Sequence, residues 1–325
     1  MRILILGGSG FVGRAVAAAA VARGWDTTVF NRGRRDPVDG ARVLLGDRLT
    51  PGGLTALADG TWDAVVDTWS ADADAVGAAA GLLRGRAGHF SYVSSRSVYL
   101  FDESGATPPP VTEDAPLVAA DDPGYAGDKL RGERAAEAFA GPLLLARAGL
   151  ILGPHEDIGR LPWWLNRLHR GGPTPAPGPQ DLPLQYIDAR DLAEFLLDAA
   201  EAGHTGPFNL VSEPGHTTMG ELLAVATEIT GGHADLRWLP PEQILAAGAQ
   251  PWTDLPVWLP PGPIHAFLHQ GDVSRALAAG LRCRPVRETV TDTWAWLRSL
   301  PGAAPHRADR PPVGLDHEME TKLLA

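Results

Sequence analysis

Along the first half of the chain, short apolar runs alternate with stretches whose apolar positions fall three or four residues apart. The runs are RILIL (2–6), TTVFN (27–31), ARVLLG (41–46), WDAVVDT (62–68), GHFSYVSS (88–95) and PLLLARAGLIL (142–152). Their apolar residues serve both faces, which predicts strands buried between two layers. Between them, GFVGRAVAAAAVARG sets Val12, Val16 and Ala19 at helical spacing, and helices are expected over 53–58, 71–85 and 125–140. Strands alternating with helices in this way predict an α/β fold, a doubly wound parallel sheet of the Rossmann type.

The pattern changes near residue 153. A Pro/Gly-rich passage, GGPTPAPGPQDLP (171–183), precedes one more strand and helix in LQYIDARDLAEFLLDAAEAG, followed by FNLVS, a helix over 217–230 and a Pro/Trp-rich segment. The expected organisation is a dinucleotide-binding domain over 1–152, to which 184–203 return. Residues 153–183 and 204–325 would form a smaller, irregular α/β substrate-binding region with a C-terminal tail. There is no internal repeat.

Composition narrows the function. A formal charge of -11 over 325 residues argues against a nucleic-acid partner, which calls for a dense basic face. The single cysteine, Cys283, excludes an internal disulfide and a thiolate metal cage. No apolar run reaches the length of a membrane span. A strand starting at Arg2 leaves no room for a leader, so a reducing cytoplasm is the expected compartment. No metal is assigned.

GGSGFVG (7–13) follows the first strand and opens a helix. Among 38 glycines the spacing Gly7, Gly10, Gly13 arises by chance about 0.5 times, so its setting matters more than the motif. In that setting the glycines allow a tight turn, a close approach to a pyrophosphate and close helix–strand packing, while the helix N-terminus offers free N–H groups. Ser9, Phe11 and Val12 complete the candidate loop. A carboxylate normally ends the second strand and binds the ribose 2'-hydroxyl. Here Asn31 stands there, followed by Arg32, Arg34 and Arg35, so NADP(H) is expected over NAD(H), with NAD as the alternative.

Of 28 basic residues only two are lysines, and one, Lys129, lies four residues after one of only four tyrosines, Tyr125. A chance YxxxK is expected about 0.02 times, which makes this the most specific signal in the chain. On a helix the two share a face. An ammonium beside a phenol favours the phenolate, and it also donates to ribose hydroxyls in a way a planar guanidinium does poorly. In VSSRSVY (93–99), Ser94 or Ser95 is available to hold a substrate oxygen at the carboxyl end of the fifth strand.

These motifs together resemble the extended branch of the short-chain dehydrogenase/reductase superfamily, of the NAD-dependent epimerase/dehydratase type. LLGDR is similar to the segment whose aspartate, here Asp47, contacts adenine. YAGDKLRGE is similar to the Tyr/Lys helix with its glutamate, Glu133, and ARAGLILGP to the segment beside the nicotinamide, with Ala148 in place of the usual proline after Arg147. The register of VSSRSVY implies that Ser95 is the catalytic serine, with Tyr125 as general acid/base and Lys129 as ribose ligand. Amides of Gly10, Phe11 and Val12 would meet the pyrophosphate, and a helix-mediated homodimer is common in the branch. Sugar dehydratases of the branch carry an Asp-Glu pair where this chain has Arg96 and Ser97, so dehydration is not expected.

The expected function is an NAD(P)-dependent oxidoreductase moving hydride between the nicotinamide and a carbonyl or hydroxyl of a small molecule. An NAD-dependent nucleotide-sugar epimerase is the first alternative, and a non-catalytic dinucleotide sensor or RNA-associated protein the second. Trp163, Trp164, Trp252 and Trp258 are read chiefly as core, with a substrate pocket as the alternative. Arg160 and Arg167 are available to a substrate anion. The acidic loop between Phe101 and Asp122 is read as solvated, with a lid as the lesser reading.

Overall fold

The computed structural model describes residues 1–101 and 109–325, so the middle of the acidic loop lies outside the described residues. The chain forms two compact units, one of residues 1–149, 189–211 and 272–282, the other of 150–188, 212–271 and 283–325.

In the first unit, β1 (Arg2–Leu6), β2 (Asp26–Asn31), β3 (Arg42–Leu45), β4 (Trp62–Asp67), β5 (Ala87–Ser95) and β6 (Leu143–Ala148) enter one sheet, interleaved with α1 (Phe11–Ala22), α2 (Ala73–Leu83) and α3 (Tyr125–Ala136). The second unit holds β7 (Ile151–Leu152), β8 (Gly172–Pro177), β9 (Pro183–Leu184) and β10 (Ile187–Asp188), with α4 (Arg160–Arg170) among them. Helix α5 (Ala189–Ala202) and β11 (Gly206–Leu210) return to the first unit. Then β12 (Thr217–Thr218), α6 (Met219–Ile229), β13 (Ala234–Leu239), α7 (Pro241–Ala247) and α8 (Pro263–His269) build the second. Helix α9 (Ser274–Ala278) belongs to the first, and α10 (Val286–Ser299) and α11 (His317–Leu324) close the second.

The large sheet is parallel throughout, in the order β11-β6-β5-β4-β1-β2-β3. Its order reverses between β1 and β4, and a crevice at the carboxyl ends there is where such sheets bind ligands. The central strands are apolar on both faces because helices cover both: Ile3, Leu4, Ile5, Val65, Val66 and Phe90 are fully buried.

Several boundaries differ from the expected ones. The run 142–152 is divided: β6 ends at Ala148, four residues early, the Gly149 N–H makes a last bond to the Leu210 carbonyl, and Ile151–Leu152 form the separate strand β7. Residues 206–210, expected in the substrate region, are the edge strand β11, paired with β6 in a register that buries Phe208 and Leu210. The strand expected at the start of 184–203 falls in the second unit as β9 and β10; only the helix returns. The helix expected over 53–58 is a single turn at Thr55–Leu57.

The Pro/Gly-rich passage holds a strand for which no element was expected: GPTPAP is β8, parallel to β13. Pro173, Pro175 and Pro177 alternate, so every missing N–H falls on the unpaired edge, while Thr174 and Ala176 face the ladder. The second unit's core centres on Trp164 and Trp258, both fully buried. Their indole N–H groups donate to the Pro256 and Gly178 carbonyls at 2.7 and 3.0 Å, so neither is free for a pocket.

Candidate active site

The chain leaves β1 through Gly7, whose φ of +101° suits glycine and whose N–H donates to Phe30 at the end of β2 (2.9 Å). Helix α1 starts at Phe11 with Gly10 as its N-cap, and no side chain caps it. Its first-turn N–H groups are therefore left by the protein's own side chains to another acceptor. A Cβ on Gly13 would run into the Gly7 carbonyl, so glycine there is what brings the helix onto the turn. Ser9, Gly10 and Val12 are half-buried at the turn and Phe11 is buried beneath it. This cradle fits a dinucleotide pyrophosphate.

At the end of β2, the Asn31 side-chain oxygen accepts the Gly33 N–H (2.7 Å), while its amide nitrogen is buried with no hydrogen-bond partner. Arg32, Arg34 and Arg35 follow on an exposed loop, and Arg14 of α1 holds that loop by donating to the Asp36 carbonyl (3.0 Å). Asp47, just past β3, is half-buried and accepts the Leu49 N–H (3.1 Å).

Helix α3 lies close on β5 because its facing positions are small. A Cβ on Gly132 would strike the Tyr92 hydroxyl, and one on Gly127 would strike the Asp122 carbonyl. The same face carries Lys129, only 3% exposed, whose ammonium donates to the Val93 carbonyl at 2.6 Å and the Trp69 carbonyl at 3.0 Å and sits 5.0 Å from the Tyr92 ring centre. One turn earlier, Tyr125 opens the helix and is 38% exposed. It differs in this from the other tyrosines: Tyr92, Tyr99 and Tyr186 are buried, and burial pushes the Tyr92 and Tyr99 phenols up.

The two candidate serines part company. Ser94 is buried and donates to Glu133 (2.6 Å), which in turn receives Arg147 through two bonds of 3.0 and 2.9 Å. Arg147 also meets the Tyr99 hydroxyl (3.2 Å), and Tyr99 donates to Asn209 of β11 (2.7 Å). Ser94 thus belongs to a buried scaffold that ties β5, α3, β6 and β11 together. Ser95 is half-buried at the strand end, 3.1 Å from the Ser97 hydroxyl. Arg96 is buried beside Tyr99 and Glu113, and desolvation lowers its pKa to about 10.

Other candidates are otherwise engaged. Glu113, read as part of a solvated loop, accepts the Asn209 N–H (2.8 Å), and its neighbour Val111 is fully buried. Arg167 is buried on Glu320 of α11 (2.6 Å), which removes it as a substrate cation, whereas Arg160 stacks over Trp252 at 5.3 Å. His265 and His269, at HxxxH spacing on α8, have ring centres 4.7 Å apart. His265 meets the Pro183 carbonyl and His269 the Gln185 N–H. Among the described residues no group of three potential ligands could hold a metal, and no helix is long and apolar enough to cross a membrane.

A parallel sheet that opens at its switch point onto such a glycine turn is that of a nicotinamide-dinucleotide enzyme of the short-chain dehydrogenase/reductase type. The chain belongs to the NAD dependent epimerase/dehydratase family, whose model matches residues 3–210. No curated protein sequence matches it. Among solved structures, a Burkholderia cenocepacia J2315 protein provisionally named an epimerase is similar, with 24% identity, a TM-score of 0.69, and 92% of this chain and 98% of that one covered. The Bordetella bronchiseptica enzyme WbmH, solved with NAD+, is similar at 19% identity and a TM-score of 0.67, covering 93% and 99%. UDP-glucuronic acid 4-epimerase from Bacillus cereus, solved with NAD, gives 17% identity and a TM-score of 0.64, covering 93% and 100%. At these identities the likeness establishes the shared fold.

Proposed function

We propose that the protein is an oxidoreductase that reduces a carbonyl of a small molecule, or oxidises the corresponding alcohol, with Tyr125 as general acid/base. The observation that carries this reading is the pairing of an exposed phenol with a buried ammonium one helical turn on, beside the open end of β5. When bound, the nicotinamide supplies or accepts the hydride. Ser95 donates a hydrogen bond to the substrate oxygen and orients it. As hydride reaches the carbonyl carbon, the carbonyl π pair moves onto oxygen, which takes the Tyr125 proton. Lys129, fixed by two carbonyls, holds positive charge by the phenol and binds the ribose. Amides of Gly10, Phe11 and Val12 bind the pyrophosphate, and Asp47 the adenine.

NADP(H) is the proposed cosubstrate. Asn31 brings no charge against a 2'-phosphate, and the exposed Arg32, Arg34 and Arg35 can neutralise one. Replacing the three arginines by alanine is expected to weaken NADPH binding at least tenfold and leave NADH nearly unchanged; equal losses would remove them from this role. For the chemistry, Tyr125→Phe is expected to lose about 10²–10⁴ in turnover while keeping cofactor affinity, measured with a panel of ketones, aldehydes and nucleotide sugars.

A second reading, nucleotide-sugar epimerisation, is favoured by the likeness to UDP-sugar 4-epimerases. It predicts NAD retained at one equivalent through purification. A protein that purifies free of dinucleotide and turns over NADPH supports the first reading.

A further inference from the structure

We propose that the buried Arg48–Asp67 ion pair is a positioning device that sets where the Lys129 ammonium sits. The inference deepens the reading above and rests on it for the lysine's role. Arg48 and Asp67 meet through two bonds of 2.8 and 2.7 Å, with side chains 5% and 0% exposed. Arg48 also donates to the Ala75 carbonyl at the start of α2 (2.7 Å) and stacks over the Trp69 ring at 5.1 Å. Asp67 accepts the Trp69 N–H at 2.9 Å, and the Trp69 carbonyl accepts the Lys129 ammonium at 3.0 Å. The residue whose carbonyl receives the lysine is thus held at its own N–H and across its ring by one ion pair. Val93 at the end of β5 provides the second carbonyl (2.6 Å), so the ammonium is clipped between the ends of two adjacent strands.

Energetics favour a geometric role over a stabilising one. A pair this buried gains little over apolar residues of similar volume, because desolvation offsets the attraction, but its forked geometry allows one arrangement only. Arg48 also directly follows Asp47, so the pair joins the proposed adenine contact to the lysine end of the cofactor cradle. Around Tyr92, on whose ring the ammonium rests, the charged and titratable groups are Asp67, Tyr125, Glu133 and Arg48. Of these, the Arg48–Asp67 pair is the one that reaches the lysine through the Trp69 peptide.

The test is a double variant, Arg48→Met with Asp67→Leu, which replaces the pair by apolar bulk and is expected to fold with a cooperative melt. Tyr125 is titrated by the ultraviolet absorbance of its phenolate, as the difference between each protein and its Tyr125→Phe counterpart. NADPH and NADH affinities are measured by nicotinamide fluorescence. Releasing the Trp69 peptide should move the phenol midpoint upward by about one pH unit and weaken NADPH binding about tenfold. A folded double variant with the wild-type midpoint and affinity overturns the proposal. Should the double variant not fold, Arg48→Lys is the second probe: a smaller upward displacement supports the proposal and an unchanged midpoint overturns it. Failure of the wild type to bind either dinucleotide would instead remove the cofactor reading, while the phenol midpoint would still report on the ion pair.

Discussion

Lys129→Arg keeps the charge and changes the shape. The ammonium sits against two carbonyls and the Tyr92 ring, and a planar fork cannot take its place without displacing one of them. We expect a folded protein destabilised by about 1–3 kcal/mol, as for other overpacked sites, with turnover down at least about 100-fold. Thermal melts and steady-state rates check both; wild-type rates would mean that any cation serves. The rarity of lysine in an arginine-rich chain makes this residue legible in the sequence, because the spacing to Tyr125 is local. Which of Ser94 and Ser95 is open is not legible from local sequence. It depends on Glu133, 39 residues away, taking the Ser94 hydroxyl.

Among elements, the contact of α3 with β5 is the one on which the site depends, and Gly132 is its tightest point. A Cβ there would run into the Tyr92 hydroxyl and lie 2.6 Å from its Cζ, and Tyr92 is too buried to step aside. Gly132→Ala gains helix propensity of up to about 1 kcal/mol, but the clash outweighs it, and we expect a net loss of about 1–2 kcal/mol together with reduced turnover. Removing the hydroxyl with Tyr92→Phe should restore part of the stability. A Gly132→Ala protein that melts higher than the wild type would show that the helix is free to shift. Strand β8 makes the opposite point about legibility: alternating prolines are a signal for an edge strand, but the segment shows no apolar alternation, and β13, its partner, lies some 60 residues on.

Across the molecule, three buried groups set a response to acid. Burial holds His89 in the first unit and His265 in the second below the ordinary histidine pKa of 6.5. Each stays neutral in the fold while the unfolded chain takes up a proton, so their contribution is present above pH 6.5 and lost as pH falls through the folded values. Glu156, fully buried at the start of α4 where it accepts the Arg160 and Leu161 N–H groups, has its pKa raised by burial to about 7. Its contribution is present below the unfolded value of 4.5 and lost as pH rises through 7, so it opposes the histidines between those limits. Glu156→Gln should therefore steepen the loss of melting temperature from pH 7 to pH 5. An unchanged slope would show that the carboxylate is ionised throughout.

The order of strands and helices, the glycine turn and the Tyr/Lys pair are written locally, in runs and spacings of fewer than about 15 residues, and such short-range patterns are what a sequence displays directly. Long-range pairing settled the rest. It drew 206–210 into the large sheet beside β6, took Arg167 away to Glu320, and set Arg48 on Asp67 beneath the lysine. Each of those outcomes depends on which distant group satisfies a buried polar atom or fills a buried face, and a residue's sequence neighbours carry no record of that partner.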